Sequence, residues 1–97
     1  MQPLLPGDPS DVGPYTLLAR LGAGGMGCVY LGRSPGGRLV AIKVVREELA
    51  QDTQFRDRFR QEIAAMRRVG GFWTATVVDA DTESAAPWMA SAYVPGP

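Results

Sequence analysis

Glycines 22, 24 and 27, spaced G-x-G-x-x-G and followed at once by Cys28-Val29-Tyr30-Leu31, constrain this chain more than any other feature in it. Glycine has no Cβ, so the backbone of such a loop can adopt positive φ and approach phosphate oxygens closely. The spacing also marks dinucleotide-binding folds, in which the third glycine opens a helix that receives the pyrophosphate. Here it leads instead into residues of strand composition and then into Ser34-Pro35-Gly36-Gly37, a strong turn signal. No helix fits between them, so the loop is expected at the tip of a hairpin formed by residues 15–21 and 28–31. Glu47 and Glu48 stand about twenty positions on, where a dinucleotide fold carries its ribose-binding acid, so counting alone does not remove that alternative. A glycine-rich hairpin with no ligand is the third reading of the loop.

Residues 39–45 form the next candidate strand, apolar apart from Lys43. An ammonium group in an apolar strand needs an anion or a route to water, because an unpaired buried charge is costly. One reading is an edge-strand lysine that snorkels outward. The other is a lysine that meets the phosphates held by the adjacent glycine loop.

Asp52 or Thr53 can cap a helix running to about residue 69, closed by Gly70-Gly71. Phe55, Phe59, Ile63 and Met66 form one stripe at about 100° per residue. Glu62 falls on that stripe by the same rule, and a carboxylate there wants a cation. Lys43 is one candidate, and Arg58, four residues earlier, is the other. Glu47 lies about 13 Å from Lys43 if the strand continues, too far for contact. Arg56, Asp57, Arg60, Arg67 and Arg68 read as a solvated face. Residues 74–80 and 88–94 are two further strands, joined by a polar segment that includes Asp81 and suits an antiparallel hairpin. Asp79 and Asp81 read as turn residues.

With both motifs in view, the run Leu21-Gly-Ala-Gly-Gly-Met-Gly-Cys-Val29 resembles the protein kinase glycine-rich loop, and Val40-Ala41-Ile42-Lys43 matches the kinase V-A-I-K strand. The wording of the loop and of the Phe55-Arg-Asp-Arg-Phe-Arg-Gln-Glu62 helix is similar to bacterial Ser/Thr protein kinases, especially those of actinobacteria. The resemblance covers roughly residues 13–97. It implies an α+β kinase small lobe: a five-stranded antiparallel sheet with one main helix between strands three and four. Residues 14–97 would form that lobe, ending just after the hinge, behind a flexible lead-in over residues 1–13 with prolines at 3, 6 and 9.

The resemblance also implies ATP as ligand. Lys43 and Glu62 would form the catalytic ion pair on the α- and β-phosphates. Leu21, Gly22, Ala23, Gly24, Gly25, Met26, Gly27, Val29, Ala41, Lys43, Ala92 and Val94 would contact the nucleotide. Within that set, Leu21, Val29 and Ala41 would sandwich the adenine, while the Ala92 carbonyl and Val94 amide would meet its edge from the hinge. Ser91 would guard the back of the pocket.

A kinase also needs an H-R-D catalytic loop and a D-F-G metal site. The chain has no histidine and no Asp-Phe-Gly, so no metal ligand is assigned, and Mg²⁺ is expected only in a full-length enzyme. Phosphoryl transfer from ATP to protein Ser/Thr would belong to that longer enzyme, with protein substrate bound through a missing C-lobe. The 97 residues are expected to be inactive alone. The alternative is a non-catalytic nucleotide-binding or protein-interaction module built from a small lobe.

Ten basic and ten acidic residues cancel, which gives no reason to invoke nucleic acid, and no apolar run is long enough to span a bilayer. A cytoplasmic location is expected, although a longer product could be membrane-anchored. Cys28, the single cysteine, reads as a small apolar filler or a reactive thiol beside the loop. Phe72, Trp73 and Trp88 read as packing aromatics.

Overall fold

The computed structural model describes residues 1–68 and 76–94. One antiparallel sheet is built from β1 (Asp11–Val12), β2 (Tyr15–Gly24), β3 (Gly27–Arg33), β4 (Leu39–Val45), β5 (Val77–Asp81) and β6 (Trp88–Ala92), in the order β1-β2-β3-β4-β6-β5. The helices α1 (Glu47–Ala50) and α2 (Thr53–Arg68) lie between β4 and β5. The expected arrangement of strands and main helix is present, with six strands in place of five. The additional strand, β1, comes from the lead-in and pairs Asp11 with Thr16 and Val12 with Tyr15.

Alternation along β4 divides the core in two. Val40 and Ile42 point to a cluster with Tyr15, Leu17, Tyr30 and Trp88, against which Leu4 and Val12 of the lead-in also pack. Val45 points the other way, to Phe59 and Ile63 of α2, with Phe55 and Met66 at its edge. Lys43 is two residues before Val45 and so shares the helix-side face. Its cross-strand partners, Val29 and Met89, lie on that face too.

The helix start was legible. The Asp52 carboxylate accepts the Gln54 amide at 2.9 Å and the Phe55 amide at 3.4 Å, as an N-cap does. The short α1 was not. It is a single turn held by the Leu49 and Ala50 amides on the Arg46 carbonyl, at 3.1 and 3.0 Å, too brief to show a period. The expected helix end at Gly70-Gly71, the aromatics Phe72 and Trp73, and positions 74–75 of the fourth expected strand lie outside the described residues.

Two side chains, Arg56 and Asp79, depart from their expected surroundings, and Arg60 makes surface ion pairs. Arg56, expected in solvent, reaches the carbonyls of Ala50, Thr82 and Ser84 at 3.1, 2.7 and 3.0 Å, fastening α2 to the β5–β6 connection. Arg60 reaches Asp57 at 2.9 Å and Glu83, in the same connection, at 2.7 Å. Asp79 is no turn residue: it accepts the Tyr15 hydroxyl at 3.2 Å. Asp81 does shape the turn, accepting the Glu83 and Ser84 amides at 3.0 and 3.1 Å.

The lead-in also packs against the sheet. A turn closes between Leu5 and Asp8, with the Asp8 amide on the Leu5 carbonyl at 2.9 Å and the Leu5 amide on the Asp8 carboxylate at 2.7 Å. It folds residues 1–12 back along the free edge of β2.

Candidate functional site

The glycine loop is the end of a hairpin. Gly22 pairs with Val29, Ala23 with Cys28 and Gly24 with Gly27, which leaves Gly25-Met26 as a two-residue turn. Because Gly27 opens a strand, the helix that a dinucleotide fold requires there is absent, and that alternative falls. Gly27 has a φ of 150°, and a Cβ on it would overlap the Val44 carbonyl oxygen, so β4 supports the loop through backbone contact that only glycine permits. Around Gly22, Gly24 and Gly25 a Cβ would meet nothing within 4 Å, so the loop has open space beside these glycines.

Beneath the loop lies a cavity of about 260 Å³ lined by Gly22, Ala23, Gly24, Gly25, Met26, Gly27, Val29 and Lys43. Eight of the expected nucleotide-contacting residues therefore share one space. β4 delivers Lys43 to it because Val29 and Lys43 are direct cross-strand partners. The volume is below the roughly 300 Å³ at which small-molecule pockets begin.

Other expected residues lie elsewhere. Leu21 of β2 and Ala41 of β4 are half-buried on the two strands that flank β3. Ala41 pairs with Ser91, whose hydroxyl donates to the Ala41 carbonyl at 3.4 Å. Ala92 lines a different cavity with Tyr15 and Leu39, and its amide donates to the Thr76 carbonyl at 2.9 Å. Val94, the other expected hinge contact, is 82% exposed among the described residues.

Glu62 is exposed, although Phe59 and Ile63 beside it on α2 are buried. It sits at the margin of the apolar stripe rather than in it, lining a separate cavity of about 120 Å³ with Met26, Phe55, Arg58 and Phe59. Among the described residues no ion pair joins Glu62 to Lys43 or to Arg58. Met26, at the loop tip, borders both this cavity and the one that holds Lys43.

Sequence reasoning missed Arg46. Its guanidinium donates to the Gly24 carbonyl at 3.3 Å and its amide to the Met26 carbonyl at 3.0 Å, holding the tip of the loop against the end of β4. No local pattern signals that role, since the contact spans 22 residues. Cys28 stands on the opposite face of the sheet from Lys43, with the Arg20 guanidinium 3.0 Å from its sulfur. No group of three or more His, Cys, Asp or Glu among the described residues could hold a metal ion. No helix among them is long and apolar enough to cross a membrane.

No family model matches the chain. It is 60% identical over 97 residues to the probable serine/threonine-protein kinase PkwA of Thermomonospora curvata, covering all of this chain and 13% of that protein. To the serine/threonine-protein kinase AfsK of Streptomyces coelicolor it is 62% identical over 90 residues, covering 93% of this chain and 11% of that one. The chain thus spans about an eighth of the length of these curated relatives. Among solved structures, the PknI kinase domain of Mycobacterium tuberculosis superimposes with a TM-score of 0.74 at 33% identity, over 91% of this chain and 36% of that one.

Proposed function

The chain is the N-terminal lobe of an actinobacterial-type Ser/Thr protein kinase, and from that premise we propose that it grips the phosphates of ATP between its glycine loop and Lys43. The observation that carries this reading is the shared cavity in which the loop from Gly22 to Gly27, Val29 and Lys43 meet. Backbone groups of the loop can approach phosphate oxygens because no Cβ intrudes at Gly22, Gly24 or Gly25. Lys43 contributes a compact positive charge on the floor of the same space. Val29 and Ala41 offer apolar surface for the adenine, and the backbone of Ala92 and Val94 would receive its polar edge.

In a full-length enzyme this grip serves phosphoryl transfer from ATP to a protein Ser/Thr hydroxyl, with Mg²⁺ and the catalytic aspartate supplied by residues outside this chain. Glu62 would complete the grip by moving to Lys43. The 97 residues alone hold nucleotide weakly and transfer no phosphate.

Titrating ATP into the ¹⁵N-labelled chain tests this. Chemical-shift changes confined to residues 21–29, 41–43 and 91–94, and lost in Lys43→Met, are the expected result. No response to ATP, or one that Lys43→Met leaves intact, overturns it. Turnover of ATP by the chain, abolished by the same substitution, overturns the inactivity alone.

A further inference from the structure

The root of the glycine loop has an unusual ladder. In β2, Leu17 pairs with Gly32 but Ala19 with Leu31, and Arg20 pairs with Tyr30 but Gly22 with Val29. Leu18 and Leu21 are therefore each an extra residue, giving two bulges that enclose only Ala19 and Arg20. Each bulge interrupts the ladder and re-aims the strand beyond it. The direction in which the glycine loop leaves the sheet thus depends on how firmly that two-residue stretch is held.

The lead-in holds it. Gln2 and Arg20 exchange backbone hydrogen bonds on the free edge of β2, from the Gln2 amide at 2.9 Å and the Arg20 amide at 2.7 Å. Asp8 then reaches the Arg20 guanidinium at 2.9 Å and accepts the Tyr30 hydroxyl at 3.0 Å. Both acid and base are largely shielded, with 7% and 18% of their side chains exposed, so the pair is less screened than a surface one. The guanidinium also lies 3.0 Å from the Cys28 sulfur, on the strand that returns from the loop. Asp8, Arg20, Tyr30 and Cys28 therefore clamp both legs of the glycine hairpin from the face opposite Lys43.

We infer that Asp8 and Arg20 are positioning residues for the glycine loop, and that the lead-in is the tether that sets the angle of the loop over its nucleotide. This rests on the nucleotide reading above. Neither residue touches the nucleotide cavity; both act through the bulged root of the loop, and the carboxylate is effective only when ionised.

Amide hydrogen exchange and ATP titration on the same samples of the 97-residue chain test the tether. Asp8→Asn keeps the shape of the side chain and removes its charge. Amides at 20–24 should then exchange about tenfold faster, while those of Ile42 and Ala90 in the sheet centre keep their rates. ATP affinity should fall about three- to tenfold, and Asp8→Glu should recover part of both effects. Three results overturn the inference: unchanged exchange at 20–24, a uniform acceleration that includes Ile42 and Ala90, or faster loop exchange with unchanged ATP affinity. If the wild-type chain does not respond to ATP, the nucleotide reading fails by itself. The exchange pattern in the absence of nucleotide then still decides whether Asp8 fixes the root of the loop.

Discussion

Lys43 and Glu62 line two different cavities, and Met26 at the tip of the glycine loop borders both. The methionine thus stands at the boundary between the lysine and the carboxylate. A salt bridge absent from the structure cannot contribute to binding by this form of the chain, so the two residues should differ sharply under mutation. Lys43→Met should lower ATP affinity about tenfold or more, whereas Glu62→Gln should leave it within about twofold. Parallel titrations with ATP check this, and equal losses would show that the pair forms in the bound chain.

The glycines of the loop should divide into two classes. Gly27→Ala places a Cβ against the Val44 carbonyl at a φ of 150°, and should cost roughly 2–4 kcal/mol of stability. Gly22→Ala and Gly24→Ala add a Cβ to open space and should change stability by no more than about 0.5 kcal/mol. If phosphates fill that space, these two variants lose ATP affinity without losing stability. Thermal unfolding beside ATP titration separates the classes.

Much of this fold was legible because its signals are local. The glycine-to-strand order placed the loop on a hairpin, the apolar run around Lys43 marked β4, and the capping residues Asp52 and Thr53 marked the start of α2. What was missed depends on distant partners. Composition marked residues 1–13 as lead-in, but nothing near Asp8 announces that Arg20 will meet it. Arg56 read as solvent-facing because two of the carbonyls that hold it, those of Thr82 and Ser84, belong to the distant segment joining β5 to β6. Glu62 was placed on the apolar stripe by its angle, yet at the margin of a helix face a small rotation separates a buried carboxylate from an exposed one. Within the candidate site, the loop and Lys43 line one cavity, while the cavity lined by Ala92 is a separate one.

Arg56 should matter more than its charge suggests. It satisfies three carbonyls from two segments, so Arg56→Ala removes a bridge between α2 and the β5–β6 connection and should destabilise the chain by about 2 kcal/mol. Arg56→Lys should recover little, because one ammonium cannot reproduce the planar fork that reaches Ala50, Thr82 and Ser84. Urea unfolding of the three proteins measures both effects.

Stability should fall at both ends of the pH scale for identifiable reasons. The Asp8 carboxyl is held below its ordinary 3.8, first by the Leu5 amide and then, against the opposing effect of burial, by the Tyr30 hydroxyl and the Arg20 guanidinium. Its contribution is complete above the unfolded value and is lost as pH falls through the lower folded one. At the other end, burial, with Cys28 and Asp8 alongside, pushes the Tyr30 hydroxyl up from 10.0 to about 12. A raised tyrosine favours the folded state while it is protonated, so that contribution is intact below about pH 10 and disappears as pH rises towards 12. Burial and Asp79 raise Tyr15 in the same direction. Melting temperature against pH should therefore show an acid limb that Asp8→Asn flattens and an alkaline limb that Tyr30→Phe flattens. An acid limb unchanged in Asp8→Asn would mean that the carboxylate does not hold the lead-in to the sheet.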